Sequence, residues 1–333
     1  MGDKTKEKKK LTKLQLRTVI VSAVSAAVAI ALIITNFFVP VKYLSSYMVI
    51  RNKGAKEGVM RVRFVDVGYG DCTIIELPDG KNMLIDAGNG RGPNQSRILS
   101  YLNKCNINTI DYLVCTSVNS EHCGGLAEIM RLKTVKTVYQ PFCSNNYITD
   151  EYLSFKTVLK PYDAVKKVIQ FGAGEENAES GYFFKFLSPS VYDNPNGEYE
   201  ELNKNPSSET ARNNASAVMW LQYGETCFLF TSDAGGEVLK GIYDSYAVSE
   251  SDYPVKIENC NIVQVANHGG AGSACAEFYD LLNADKAIIS VGENAEDSPS
   301  LQVISDLKDT EIYRTDERKT VTVEVTEDGF AVV

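Results

Sequence analysis

From Thr18 to Val41 the chain carries no charged residue. At about 1.5 Å of helical rise per residue, these roughly 24 residues span about 36 Å, enough to cross a hydrocarbon core of about 30 Å. Lys42 to Gly58 is polar and glycine-bearing and reads as a short stalk. Beyond it, short apolar runs alternate with helix-spaced apolar residues. Val59–Val67, Cys72–Leu77 and Asn82–Asp86 read as strands, the last two separated by the turn signal Pro78-Asp79-Gly80. Ile98, Leu99 and Leu102 give Gln95–Lys104 helical spacing.

A strand–loop–helix unit follows, Ile110–Thr116 and then Gly124–Leu132. It recurs as Asn261–Ala266 before Ala274–Leu282, and as Lys286–Val291 before Pro299–Leu307. Ala215–Tyr223 and Thr226–Thr231 predict a hairpin around Gly224-Glu225. Tyr313–Val325 and Phe330–Val333 predict closing strands, and the polar Asn194–Asn214 segment reads as a mobile loop. Strands first and then mixed strand and helix, twice over, predict an α/β fold: a four-layer αββα sandwich with helices outside two sheets.

Charge sharpens the division. Residues 1–17 hold seven basic groups against Asp3 and Glu7, so the net charge of -9 leaves -14 for the remainder. The expected organisation is a basic cytoplasmic tail (1–17), a single membrane anchor (18–41), a stalk (42–58) and one domain (59–333). The one-sided lysine cluster puts the N-terminus in the cytoplasm and the domain outside the cell membrane. A cleaved signal peptide is the rival, but its apolar region is usually about 7–15 residues. An acidic body argues against a broad phosphate-tracking surface. The eight cysteines form no Cys-x-x-Cys pair, and their scattered spacing reads neither as a zinc ribbon nor as a disulfide framework.

The two histidines of the chain, His122 and His268, both lie in glycine-flanked loops after strands. Three further loops share that position: Asp66-Val-Gly-Tyr-Gly-Asp71, Asp86-Ala-Gly88 and Thr231-Ser-Asp-Ala234. Each is weak alone, since a lone histidine is more often structural than a ligand. Their order is specific. Asp66 to Asp71, Pro78 to Gly80, Leu84-Ile-Asp-Ala-Gly88, Asp111 to Leu126, Phe228 to Ala234 and Asn267-His-Gly-Gly270 resemble, motif by motif, the metallo-β-lactamase superfamily. Within it they resemble the extracytoplasmic hydrolase-like domain of the ComEC-type competence proteins, which are DNA-uptake channels. The resemblance covers about residues 59–325.

It implies two metal sites, and this chain departs from the first. The first two histidines of the family's His-x-His-x-Asp-His are Ser117 and Asn119, which cannot replace imidazole at zinc. The second-site positions are Glu121, His122, Asp233 and His268, and all four can ligate. Only Asp to Glu has changed there. Asp66, Tyr69, Asp71, Asp86 and Ser298 are expected to line the pocket; Tyr69 stands for the usual Gln, and Ser298 for the His that the family often has before Pro.

Two readings remain open. In one, the chain is a degenerate hydrolase kept as a binding or scaffolding module, with His122 and His268 paired to Glu121 and Asp233. In the other, one divalent metal (zinc, iron or manganese) at the second site supports mononuclear hydrolysis of a phosphodiester. A Cys123 or Ser117 nucleophile is a third and weaker option. The membrane is the one partner read from residues. Nucleic acid enters by resemblance alone, and no protein partner is indicated. If the site holds metal, ring nitrogens of the two histidines are expected about 3.4 Å apart, and not well beyond 5 Å.

Overall fold

The computed structural model describes residues 12–333 apart from 39, 52, 53, 55, 145–147, 192, 193, 195, 196, 250–252, 294 and 296. Most of the basic tail therefore lies outside the described residues. The chain divides into two units, Met1–Met48 and Val49–Val333. In the first, Lys13–Phe38 is a single helix. It starts at a capping box: the Thr12 hydroxyl accepts from the Gln15 amide, and the Gln15 side chain accepts from the Thr12 amide. Lys13–Ile34 is long and apolar enough to cross a membrane. The start of the polar stretch read as a stalk forms two helical turns, Val41–Tyr43 and Leu44–Tyr47.

The second unit is a two-sheet sandwich. The first sheet takes β1 (Met60–Phe64), β2 (Thr73–Glu76), β3 (Asn82–Ile85), β4 (Thr109–Val114), β5 (Thr134–Gln140) and β6 (Val165–Val168). The second takes β7 (Gly174–Asn177), β8 (Tyr182–Ser188), β9 (Val218–Tyr223), β10 (Thr226–Phe230), β11 (Ile262–Gln264), β12 (Lys286–Ile289) and β13 (Glu311–Arg314). The chain then returns to the first sheet as β14 (Val321–Thr326) and β15 (Gly329–Val332), with β14 beside β1.

Each sheet is antiparallel at one end and parallel at the other. β1 to β3 are antiparallel and β3 to β6 parallel. β7 to β10 are antiparallel and β10 to β13 parallel. Parallel neighbours need crossover connections, and helices supply most of them. Gly92–Lys104, Leu126–Leu132 and Asp150–Leu159 serve the first sheet.

Alternation along the strands builds two cores. Phe184, Phe186, Phe228 and Phe230 point between the sheets and meet Phe64, Met60 and Tyr139. Leu187 and Leu229, on the opposite face, pack with Leu239, Phe278 and Val303 of the outer helices. This is period-two patterning on a doubly covered sheet. Phe184 has ring neighbours at 5.5 Å (Tyr112) and 5.6 Å (Tyr139).

Two sequence expectations are corrected. Tyr313–Val325 is not one closing strand. It is β13 in one sheet and β14 in the other, parted by the short helix Thr315–Arg318 and by Lys319 at φ 65°. Asn194–Asn214 is not a plain loop. It holds two short helices, Glu198–Lys204 and Glu209–Asn214. Tyr199 and Leu202 anchor the first by burial, and the Ser208 hydroxyl caps the second by accepting from the Ala211 amide.

The parallel strands place their following loops together, the usual position of a ligand crevice in α/β sheets. Phe184 tests the sandwich. Phe184→Ala is expected to destabilise the protein by about 3–5 kcal/mol in urea unfolding. Val165→Ala, at an exposed position, should stay within about 0.5 kcal/mol.

Candidate metal centre

Asp86 follows β3, Ser117 to Cys123 follow β4, Ser232 and Asp233 follow β10, and His268 follows β11. Several of these residues sit in the left-handed region at non-glycine positions: Asp86 at φ 57°, Ser232 at 49° and His268 at 53°. Such strain costs stability and persists where surrounding structure imposes it, characteristically at functional sites. Gly70 matters for a related reason. It lies at φ 137°, and a Cβ there would sit 2.4 Å from the Glu121 carbonyl oxygen. Its absence lets the Asp71 loop close onto the helical turn Ser120–Cys123, where the Asp71 amide donates to that carbonyl.

Glu121, His122, Asp233 and His268 each offer a ligand atom, and these four atoms lie within 4.8 Å of one another. The imidazoles are oriented from behind. His122 Nδ1 is 2.8 Å from Asp86 Oδ2, and His268 Nδ1 is 2.8 Å from the Ser290 carbonyl oxygen. Each Nε2 is thereby turned to the common point. Histidine metal ligands are characteristically held this way, the second nitrogen donating to a carboxylate or carbonyl. Asp86 is itself fixed, accepting from the Thr116 amide at 2.8 Å and the Thr116 hydroxyl at 2.5 Å.

Four buried atoms here have no hydrogen-bond partner: Nε2 of both histidines, Oδ1 of Asp233 and Oδ1 of Asp71. His122 Nε2 lies 2.9 Å from Asp233 Oδ2, but without hydrogen-bond geometry. Orphaned buried polar atoms are costly and are rare singly. Three of them belong to the Glu121–His122–Asp233–His268 cluster, whose two imidazoles and carboxylate oxygens fit a donor set for one divalent ion.

The field is strongly coupled. Burial opposes a charged His122, yet the carboxylates of Asp233 and Asp86 outweigh it and hold its pKa well above the ordinary histidine value. Burial would raise Asp233, but the two histidines hold it below the usual carboxylate range. Burial raises Asp71. The Tyr69 ring lies 4.3 Å from that of His268, and its phenol is pushed up to about 12 by burial and by Asp233 and Glu121.

The first-site side of Asp233 is filled. Asn119 Nδ2 donates to Asp233 Oδ2 at 2.7 Å and to Asn213 Oδ1 at 2.8 Å. Arg212 Nε donates to Asn119 Oδ1 at 2.6 Å. Ser117 is buried, and its hydroxyl accepts from the Asn119 amide at 3.3 Å. One oxygen of Asp233 is therefore satisfied by an amide, and the other, 3.4 Å from His268 Nε2, has no hydrogen-bond partner.

The remaining expected residues divide. Asp71 and Asp86 adjoin His122. Asp66 points elsewhere, taking the Gly68 amide and pairing with Arg97 at 2.8 Å. Ser298 precedes Pro299, which packs on the turn after His268: a Cβ on Gly269 would lie 2.7 Å from that of Pro299. The pairing expected from sequence is met at Asp233, whose carboxylate lies 2.9 Å from His122 Nε2 and 3.4 Å from His268 Nε2, and is corrected at Glu121. The histidines bond to Asp86 and Ser290 through Nδ1, and Glu121 accepts from Ser120 instead. Cys123 is fully buried, burial raises its thiol pKa, and its Sγ faces the Val118 carbonyl, so it is no nucleophile. Thr116, Ser232, Ser290, Arg212 and Asn213 were not singled out by the motifs.

ComE operon protein 3 of Bacillus subtilis (strain 168) is 21% identical over 248 residues, covering 70% of this chain. The match takes in 28% of that protein, so this chain spans well under two thirds of its length. The metallo-β-lactamase fold protein YhfI from Bacillus subtilis is 11% identical with a TM-score of 0.47, covering 80% of this chain and all of that one. CmlA, a diiron β-hydroxylase from Streptomyces venezuelae, is 15% identical with a TM-score of 0.47, covering 82% and 55% of the two chains. The model of the metallo-β-lactamase superfamily matches residues 65–293, more than half of the chain, and this protein belongs to that superfamily.

Proposed function

We propose that this chain is a membrane-anchored, degenerate metallo-β-lactamase-fold protein that acts as a binding or scaffolding module and retains one metal site. The observation that carries the reading is the Arg212–Asn119–Asp233 relay. A guanidinium and a primary amide serve Asp233 where a first metal would have to bind. A two-metal clamp, which holds attacking and leaving oxygens together, has no place for its first ion.

Glu121, His122, Asp233 and His268 would hold a single zinc, iron or manganese. Such an ion supplies positive charge and lowers the pKa of a bound water toward about 7. The protein's own part is orientation. Asp86 and the Ser290 carbonyl fix the two rings, and Tyr69 covers His268. A third histidine able to act as general acid is absent from the sequence, since His122 and His268 are the two it has.

The apolar helix supports anchoring, with the division into tail 1–17, anchor 18–41, stalk 42–58 and domain 59–333. The N-terminal lysines support a cytoplasmic N-terminus and an extracytoplasmic domain. The -14 charge of the body gives no support to a nucleic-acid surface, so none is proposed.

Metal analysis of the full chain in detergent tests the site. About one ion per chain is expected in the wild type, and close to none in His122→Ala/His268→Ala. Equal content in both would remove the metal site from the reading. Hydrolysis of a chromogenic phosphodiester by the wild type should not exceed that of the double variant. Chelator-sensitive turnover lost in the variant would instead establish a mononuclear hydrolase.

Asn119→Ala separates the two halves of the centre. It strips Asp233 Oδ2 of its donor, and a loss of about 1–3 kcal/mol in urea unfolding is expected. The metal content should be unchanged.

A further inference from the structure

Tyr69 stands between two glycines with left-handed backbone, Gly68 at φ 73° and Gly70 at φ 137°. The backbone there is clasped from two sides. A Cβ on Gly70 would sit 2.4 Å from the Glu121 carbonyl oxygen, and one on Gly292, after β12, would sit 2.5 Å from the Tyr69 amide nitrogen. The side chain is not clasped. Tyr69 is 42% exposed, and among the described residues its hydroxyl takes no hydrogen bond. Its ring rests on that of His268, with 53° between the planes. Exposed side chains change rotamer within about nanoseconds, so this ring can turn aside with no movement of the loop.

The other sides of the centre are sealed by side chains that cannot turn. Asn119, bonded to Asp233 and Arg212, closes the first-site side. Asp71 and Asp86 lie behind the imidazoles, and both are buried. Of these residues and the four candidate ligands, Glu121 is the one that is half-buried. His268 lies beneath the Tyr69 ring and is 1% exposed. Its Nδ1 faces the Ser290 carbonyl oxygen, an acceptor, so Nδ1 holds the proton and Nε2 presents its lone pair. That Nε2 has no hydrogen-bond partner.

We propose that Tyr69 is the gate of the half-site: its ring closes the face that packing leaves open, and an ion or any other electrophile reaches His268 Nε2 only when the ring swings out. For the ion this rests on the metal half-site; for the bare imidazole it does not. A gate acts on entry and exit alike. It sets the rate of exchange and leaves the amount of metal bound nearly unchanged.

Diethyl pyrocarbonate reads the gate without metal. The Nε2 lone pair attacks one carbonyl, the ethoxycarbonyl group stays on nitrogen, monoethyl carbonate leaves, and the ring gives up its proton. The full chain in detergent, stripped by chelator, is treated and its adducts are located by peptide mass spectrometry. His268 of the wild type should react at least about tenfold more slowly than N-acetylhistidine, as a site open for a small fraction of the time would. Tyr69→Ala should raise the His268 rate at least about threefold, and Tyr69→Phe, which keeps the ring contact, should not. Phe171→Ala removes a ring of equal exposure, 43%, that packs on Tyr253, and should leave the rate unchanged. His122, wholly buried, should stay unreactive throughout. With zinc bound, a chromogenic chelator should strip Tyr69→Ala faster than the wild type, from equal initial content. A wild-type His268 as reactive as N-acetylhistidine, no gain in Tyr69→Ala, an equal gain in Tyr69→Phe, or acylation of His122 alongside His268 would overturn the proposal. If the wild type holds no ion, the metal half-site fails and the acylation rates still decide the gate.

Discussion

The two oxygens of one carboxylate meet opposite surroundings, and the rest of the centre depends on that. Asp233 Oδ2 takes an amide donor from Asn119 and lies 2.9 Å from His122 Nε2, whereas Oδ1 takes no donor and lies 3.4 Å from His268 Nε2. In a low-dielectric interior an unpaired oxygen and its charge are expensive, and a paired one is cheap. This asymmetry separates a closed first half from an open second half. It also explains why Ser117 and Asn119, which do not ligate as imidazoles would, leave no hole. The amide of Asn119, polarised by Arg212, supplies the donor that Asp233 needs on that side.

The fold makes such a centre affordable by distributing it. Asp86, His122, Asp233 and His268 come from loops after four different strands, in two sheets. The inter-sheet aromatic core fixes those strands, and the left-handed backbone at Asp86, Ser232 and His268 aims their side chains. Strain in the loops is tolerated because the strands beneath them are buried on both faces.

Much of this was legible in the residues. The clustering of Glu121, His122, Asp233 and His268 could be read because each motif sits directly after an apolar strand run, so that local pattern fixes long-range position. The turns at Gly80 and Gly224 were legible for the same local reason. The plug was not. Arg212 and Asn213 lie in a polar stretch whose helix has six residues, too short for periodicity to register. Its order comes from the Ser208 cap and from the Arg212 contact with Asn119, ninety-three positions away. The break between β13 and β14 was hidden differently. Both hold strand-favouring residues, Ile312 and Tyr313 in one and alternating Val and Thr in the other, and only pairing with different sheets tells them apart.

Arg212 also sets how hard it is to reverse the history of this centre. Restoring histidines at 117 and 119 would supply nitrogen ligands, but it would place them against a guanidinium already seated by the Pro206 carbonyl. With Asn119 replaced, the Arg212 Nε would lose its acceptor and leave a positive charge beside the incoming ion. A dinuclear centre therefore needs three changes, with the third on a helix that carries no motif. Ligand replacement at 117 and 119 alone would not make this a two-metal centre.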